Sequence, residues 1–228
     1  MKIWGNGCAG WEYVGSDRTS GGLLLMWEDG FFKMRNYYKG DRWLCVEGIL
    51  SKNPINCAFF LVYGAHTRDE KLVWEELSYV AGLCPGAYCF WGDFDEIVQV
   101  EERRGSDSLP LSTQDFENWI NDMGLVDLPI TDRKFTWFRG KSCSRIDRAL
   151  VSLELIEAFP ETHLRGGPQG LLDHCPIIVE DKRLRDGPRP FRSLDLWFTH
   201  EGFLRMVKEE WRGLGEVQFT NKLKALTV

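Results

Sequence analysis

The sequence predicts an α/β fold in which a largely buried sheet is covered by helices. Two observations lead to this prediction. A series of short apolar runs, each ended by turn-forming residues, begins at Leu23. The apolar run at residues 55–63 is then followed by a helical pattern and by another apolar run at residues 87–91. Strand, helix and strand in this order form a βαβ unit, which lays a helix across a parallel strand pair.

Four strands are predicted before the first helix. They have the sequences LLLMW, FFKMRNYY, RWLCVEGIL and INCAFFLVY, and turn formers such as Lys39-Gly40-Asp41 separate them. The fourth run is nearly all apolar, which is typical of a central strand. Residues 1–20 are rich in Gly and Trp without a clear period, and we expect them to be an irregular N-terminal segment.

Helical patterns and short strands alternate in the rest of the chain. A capping box at Thr67 and Glu70 predicts a helix of about sixteen residues, and a second helix is predicted over about residues 112–123 with Gly124 as its stop. Short strands follow in KFTWF, SRIDRALVS, THLRG and HCPIIVE, with a helical piece around residues 153–159. We expect residues 181–228 to form a charged linker and a C-terminal helix.

The composition indicates a globular protein. With 43% hydrophobic and 13% aromatic residues, the chain has too much apolar surface for an intrinsically disordered protein. The net charge of −6 gives no general attraction to a polyanion, so a nucleic-acid contact requires a local basic face. Because the chain has neither a long apolar run nor the apolar core of a signal peptide, we expect a soluble intracellular protein with no membrane partner.

The seven cysteines indicate reduced thiols. Their number is odd, they form no C-x-x-C pair, and most lie inside apolar runs. They are therefore expected to pack as small hydrophobic side chains rather than to form disulfides or a zinc site.

Polar side chains collect where predicted strands end. Two carboxylates that follow the strand at residues 87–91 would point to one side if the backbone stays extended. Clustered acids can hold Mg²⁺, and a carboxylate beside a histidine can orient its ring. These groups suit phosphodiester hydrolysis; the residues concerned are Tyr63, His66, Asp93, Asp95, Asp147, Asp173 and His174.

Each of these residues also has an interpretation without function. The two acids Asp93 and Asp95 can simply begin a solvated loop. Tyr63 can be a half-buried strand aromatic and His66 a loop residue. Asp147 can be a surface partner of a neighbouring arginine, Arg145 or Arg148.

Five motifs in a fixed order carry a family resemblance. They are LVYGAH at residues 61–66, WGDFDEIV at 91–98, LVDLPITDRKFTW at 125–137, SRIDRALVS at 144–152 and LDHCPI at 172–177. This order resembles the endonuclease/exonuclease/phosphatase (DNase I-like) superfamily, and most closely the endonuclease region of plant LINE-type (non-LTR) retrotransposons. The resemblance covers residues 21–180, and residues 190–211 are similar to the segment that precedes a reverse transcriptase in such elements.

The resemblance implies a fold and an activity. The implied fold is a four-layer α/β sandwich of two packed mixed sheets flanked by helices, and the implied activity is Mg²⁺-dependent nicking of DNA in the nucleus. A monomer is the default. Tyr63 and His66 would bind the scissile phosphate, Tyr63 also as a catalytic residue, and Asp93 would align or deprotonate the attacking water.

The resemblance also assigns the remaining site residues. Asp147 would orient His174, which would contact the phosphate and stabilise the charge of its transition state. Asp173 and Asp93 would bind the metal. Asp95 would take the catalytic position of an asparagine in the family.

Three departures from the family pattern predict weak catalysis. The chain begins downstream of the strands that carry the family's Asn and metal-binding Glu, so it is expected to be truncated and to lack its main metal ligand. Asp95 adds a negative charge where the family has a neutral amide. Leu172 stands where a small hydroxyl residue usually precedes the Asp-His pair.

Two interpretations without catalysis remain open. One is a nucleic-acid-binding remnant that uses basic side chains at the rim of the site, namely Arg103, Arg104, Arg133, Lys134, Arg139 and Lys141. Such a cluster can also be only a solvated face. The other is a decayed pseudogene product without a selected role, or a module that binds only other proteins.

Overall fold

The structure is a computed structural model that describes residues 9–16, 22–64, 70–105, 108–170 and 172–181 and three single positions. The chain divides into two compact units, Met1–Arg185 and Asp186–Val228. The three single positions, Gly202, Arg205 and Glu209, are all that is described of the second unit. The predicted linker and C-terminal helix therefore lie almost entirely outside the described residues.

The first unit alternates strands and helices. Its helices are α1 (Glu70–Leu83), α2 (Ser112–Asp122) and α3 (Leu153–Ala158), and a short 3₁₀ turn spans Val100–Glu102. The strands are, in chain order, β1 (Ala9–Val14), β2 (Leu23–Glu28), β3 (Phe32–Lys39), β4 (Trp43–Leu50), β5 (Asn56–Tyr63), β6 (Ala87–Asp93), β7 (Val126–Asp127), β8 (Trp137–Arg139), β9 (Ser142–Ser144), β10 (Asp147–Val151), β11 (Thr162–Gly166) and β12 (Ile177–Asp181).

A mixed six-stranded sheet forms the centre, in the order β3-β4-β5-β6-β10-β7. The pair β5 and β6 is parallel and is connected through α1, whereas the other pairs are antiparallel. The βαβ unit predicted from the sequence is confirmed, and so is the central position of β5.

Helices α1 and α2 cover one face of this sheet with an aromatic core. Phe60 and Phe90 stack at 4.3 Å between ring centroids, and Trp74 and Trp119 stack at 4.9 Å above them. Gly124 ends α2 as expected, since its φ of 61° lies in the left-handed region that glycine adopts without a steric cost.

The opposite face packs against a second sheet layer. This layer consists of the pairs β1–β2 and β11–β12, and α3 adds side chains to the same core. Burial alternates along β4, where Trp43 and Cys45 face the helices and Leu44 and Val46 face the second layer. The fold is therefore the mixed α/β arrangement predicted, with packed sheets flanked by helices.

Strand β1 corrects the prediction of an irregular segment at residues 1–20. All six of its residues pair with β2. The sequence pattern hid this strand because its outward residues Trp11 and Tyr13 are large aromatic side chains that are more than half exposed. The expected alternation of apolar and polar residues is therefore absent.

Other predictions concern the cysteines and the membrane. The six cysteines in the described part of the chain are buried and free, which confirms the prediction for Cys45, Cys57, Cys84, Cys89, Cys143 and Cys175. Within the described residues, no helix is long and apolar enough to span a membrane.

The loop after β6 is polar in sequence, yet parts of it are buried and paired. Glu96 is only 5% exposed, and Glu102 binds two arginines of the segment 145–148. We call Glu102, Asp127, Arg145 and Arg148 the buried ion-pair network. Each of its two arginines contacts both acids, so the network ties the loop after β6 to β7 and β10.

Candidate active site

Strand register places three predicted site residues in one row. Tyr63 at the end of β5 lies opposite Asp93 at the end of β6, and Asp147 at the start of β10 lies opposite Asp93 from the other side. Neighbouring strands are about 4.8 Å apart. Leu61 and Trp91 lie two positions before Tyr63 and Asp93 on the same strands, and both pack into the core of the second layer. By strand alternation, the row therefore faces that layer.

Gly92 makes this close strand approach possible. Its φ is 132°, and a Cβ atom there would overlap the backbone oxygen of Val62. Only glycine fits, because both the backbone conformation and the contact exclude a side chain. The glycine that breaks the apolar run is thus part of what positions Asp93.

His174 completes the row from a different segment. Its Nδ1 lies 3.1 and 3.0 Å from the two carboxylate oxygens of Asp147, and its Nε2 lies 3.9 Å from Oδ2 of Asp93. The hydrogen bond with Asp147 raises the pKa of His174, and the charge of Asp93 adds to this effect. Asp147 therefore favours the imidazolium form and fixes the orientation of the ring.

Asp93 is a perturbed acid. Burial first, and then the negative charge of Asp147, raise its pKa to about 6, although a backbone hydrogen bond from Asp95 and the charge of His174 act in the opposite direction. A carboxylate with a pKa near neutrality can exchange a proton under physiological conditions. Asp93 thus has the property that a general base requires.

Asp95 occupies a strained turn directly behind Asp93. Its φ is 57°, and its backbone N–H donates a hydrogen bond of 2.9 Å to Oδ1 of Asp93. Asn and Asp tolerate this left-handed conformation better than other residues that carry a side chain. The backbone geometry therefore accommodates either residue, and the difference between them is one of charge.

Of the remaining predicted site residues, Asp173 and Tyr63 belong to the described part of the chain and His66 does not. Oδ2 of Asp173 accepts a hydrogen bond of 3.2 Å from Nε1 of Trp137. Tyr63 lies under the guanidinium of Arg42, 5.5 Å from its ring centroid, so it is a half-buried aromatic as well as a member of the row. His66 falls outside the described residues.

Among the described residues, one group of acids and histidine could hold a metal ion. It consists of Asp93, Asp147 and His174, whose ligand atoms all lie within 4.8 Å of one another. Mg²⁺ is usually bound through one or two carboxylates, with water and phosphate oxygens completing the shell. The two carboxylates fit this description. The negative charge of Asp147 raises the pKa of Asp93, and a bound cation would neutralise that charge.

Thr136 is a positioning residue that the sequence did not reveal as such. It is fully buried, and its hydroxyl accepts hydrogen bonds from the backbone N–H groups of Ile146 (3.2 Å) and Asp147 (3.0 Å). Its carbonyl accepts another, of 2.7 Å, from the N–H of Cys175, next to His174. Thr136 thus joins the segments that carry Asp147 and His174. The only sequence signal for this role was a hydroxyl residue between two aromatic residues in the run KFTWF.

The interpretation of Asp147 as a surface ion-pair partner is wrong. Asp147 is 8% exposed and its carboxylate faces His174, while Arg148 is fully buried on the opposite face of β10. Successive side chains of a strand point to opposite faces, which separates these two neighbours. Both arginines bind Glu102 and Asp127 instead.

No protein-family model and no curated protein matches the sequence. Three solved structures are similar in fold. The endonuclease domain of TRAS1, a telomere-specific non-LTR retrotransposon, aligns at 12% identity with a TM-score of 0.59 over 74% of this chain and 77% of its own. AP endonuclease LMAP from Leishmania major aligns at 15% identity with a TM-score of 0.58, covering 74% of this chain and 69% of its own.

The third structure is a variant of the 3′ phosphatase NExo from Neisseria, bound to a product DNA hairpin. It aligns at 17% identity with a TM-score of 0.54 over 75% of this chain and 79% of its own. At such identities the similarity shows the fold alone. The chain therefore shares the fold of these three proteins, in agreement with the predicted α/β arrangement of packed sheets flanked by helices.

Proposed function

We propose that this chain is a DNA phosphodiesterase domain of the LINE-type endonuclease class, from a plant element, with weak catalysis. The observation that carries the proposal is the contiguous group of Asp93, Asp147 and His174 at the strand ends of a DNase I-like fold. The resemblance of its sequence motifs to LINE-type endonucleases implies that it would act on DNA in the nucleus, and a monomer is the default.

The geometry supports the following roles. His174, held by Asp147 and with its pKa raised, presents a positive ring that binds a phosphate oxygen and stabilises the charge that develops on it. Asp93, with a pKa of about 6, accepts the proton of the attacking water. A Mg²⁺ ion held by Asp93 and Asp147 would supply further charge stabilisation.

Two features support weak catalysis. Asp95 places another negative charge beside Asp93, where it disfavours both the phosphate and the ionised base. The candidate metal group within the described residues contains two carboxylates and no glutamate. The roles of Tyr63, His66 and Asp173 remain those that the resemblance implies.

Plasmid nicking tests the proposal. With Mg²⁺ we expect slow conversion of supercoiled DNA to the nicked form, and we expect His174→Ala to reduce the rate by about a hundredfold or more because the phosphate loses its stabilising cation. His163→Ala is the matched control, since His163 lies on β11 beside Glu180 and outside the group.

The outcomes separate the interpretations. Nicking that persists in His174→Ala contradicts the assigned site, and rapid nicking by the unmodified chain contradicts weak catalysis. DNA binding without any nicking supports the non-catalytic remnant. A chain that neither binds nor nicks DNA is what the decayed product predicts.

Replacing Asp95 with asparagine is expected to increase nicking. The change keeps a residue that tolerates the φ of 57° and removes a negative charge that, after burial and the charge of Asp147, makes a minor contribution to the raised pKa of Asp93. We expect a rise of about threefold to tenfold in rate, in line with a modest change in charge repulsion. Rates measured between pH 5 and 8 should also show the acid-side limb, where the rate rises as Asp93 loses its proton, moving to lower pH. An unchanged profile would contradict the coupling between Asp93 and Asp95.

A further inference from the structure

The structure divides the basic side chains near the site into two kinds. Arg133 donates to the backbone oxygen of Gly167 and so holds β11 in place. Arg104 and Lys134 are exposed, and their cationic groups lie 5.7 and 5.5 Å from the ring centroid of Phe135. Of these three side chains, Arg104 and Lys134 are the ones presented to a ligand.

Arg104 and Lys134 line a surface groove of about 430 Å³. Its other lining residues are Val100, Glu101, Arg103 and Phe135. Arg103 donates from Nε to the hydroxyl of Ser144, which fixes its side chain at the wall of the groove. Three cations against one exposed acid leave the groove positively charged in a chain whose net charge is −6.

A line of paired residues connects this groove with the candidate active site. Arg103 lies opposite Ser144, Ser144 lies opposite Trp137, and Trp137 lies opposite His174. Three strand spacings separate Arg103 from His174, a distance of about 14 Å. The hairpin formed by β8 and β9 is the rigid spacer between them.

We propose that the groove is a second phosphate site, which binds the DNA backbone that flanks the phosphate at His174. This proposal rests on the proposed function. Each strand of DNA carries one charge per about 3.4 Å along the helix axis and its phosphates also wind around that axis, so a separation of about 14 Å places the second phosphate within a few nucleotides of the first. The ring of Phe135 lies against both Arg104 and Lys134, and this contact lowers the entropy that their side chains lose when they bind an anion.

Binding of a fluorescein-labelled DNA duplex to the full chain tests the groove without requiring catalysis. Anisotropy titrations in EDTA over a range of salt concentrations give an affinity and a salt slope. We expect the double variant Arg104→Ala with Lys134→Ala to reduce the slope by about two and to weaken binding by on the order of tenfold or more at low salt. Both residues are exposed, so an unchanged melting temperature should confirm that the variant folds.

A charge-matched control separates a local site from general electrostatics. Lys33 and Arg35 are exposed on β3, at the far edge of the six-stranded sheet, and their double alanine variant removes the same charge. We expect it to keep the slope and affinity of the unmodified chain. Equal losses in both double variants, or no loss in either, overturn the groove as a site.

Duplex length provides a second readout. When the duplex is shortened until it no longer reaches the groove, the unmodified chain should bind as weakly as the groove variant. A difference that persists on the shortest duplex overturns the proposed position. If the unmodified chain fails to bind DNA even at low salt, the proposed function itself is wrong. A loss of binding in the groove variant alone contradicts neither proposal.

Discussion

Replacement of Arg148 by methionine is expected to lower the free energy of unfolding by roughly 3–5 kcal/mol, the usual cost of removing one partner from a buried ion pair, because Arg145 alone then faces the two acids. Arg148 is fully buried, and both Glu102 and Asp127 bind its guanidinium. Burial pushes the pKa of Glu102 upward, but the hydrogen bond and charge of Arg148 hold it at about 2. Methionine fills a similar volume, so the loss reports on charge rather than on a cavity.

Urea denaturation at pH 7.5 measures this effect. The matched control is Arg104→Met, because Arg104 is exposed and should cost no more than about 0.5 kcal/mol. Adding Glu102→Gln to Arg148→Met should recover part of the loss, because one uncompensated carboxylate is then removed. Equal small losses for Arg148 and Arg104 would show that the buried ion-pair network contributes little to stability.

The opposite result is expected for Asp93→Asn, which should stabilise the folded chain at neutral pH. A rise in pKa from the ordinary 3.8 to about 6 corresponds to about 3 kcal/mol of penalty on the ionised group in the folded state. Asparagine keeps the oxygen that accepts the hydrogen bond from Asp95 and carries no charge. Loss of the attraction to His174 offsets part of the gain.

The sign of the pH dependence follows from the raised pKa. The folded state binds the proton of Asp93 more tightly than the unfolded state does, so this residue favours folding below about pH 4. The advantage is lost as the pH rises through about 6. The gain from Asp93→Asn should therefore be largest near pH 7.5 and should disappear near pH 4.

Melting temperatures in EDTA at several pH values test this prediction. Asp41→Asn, at an exposed turn between β3 and β4, is the control and should change little at any pH. Added Mg²⁺ should raise the melting temperature of the unmodified chain and leave that of Asp93→Asn unchanged, since binding to the folded state alone stabilises it. A gain from Asp93→Asn that does not depend on pH would contradict the titration of Asp93 as its cause.

Local sequence patterns predicted most of the sheet and part of the site. The run INCAFFLVY became the central strand β5, and the break at Gly92 lies one residue before the end of β6. The expectation that the backbone stays extended through both acids was wrong, because Asp95 has a φ of 57°. The strand predictions succeeded because strand alternation and turn chemistry act between residues a few positions apart. The expectation that Asp147 orients His174 came from the family resemblance, and in the structure the two side chains are in contact.

Contacts across the sheet and between layers decided the rest. Arg145 and Arg148 looked like surface partners of Asp147, yet packing of β10 against α2 buries Arg148 and pairs it with Glu102, 46 positions away in the chain. Thr136 likewise acquires its role only when two distant segments close on its hydroxyl.

The sequence by itself determined which residue types are available and which side of each strand they occupy. Local sterics and hydrophobic alternation are enough for that. Only the tertiary structure decided which acid meets which base, how strongly burial raises the pKa of Asp93, and where the basic groove lies relative to His174. Those properties depend on distance and desolvation, and both are established only when segments remote in the chain pack together.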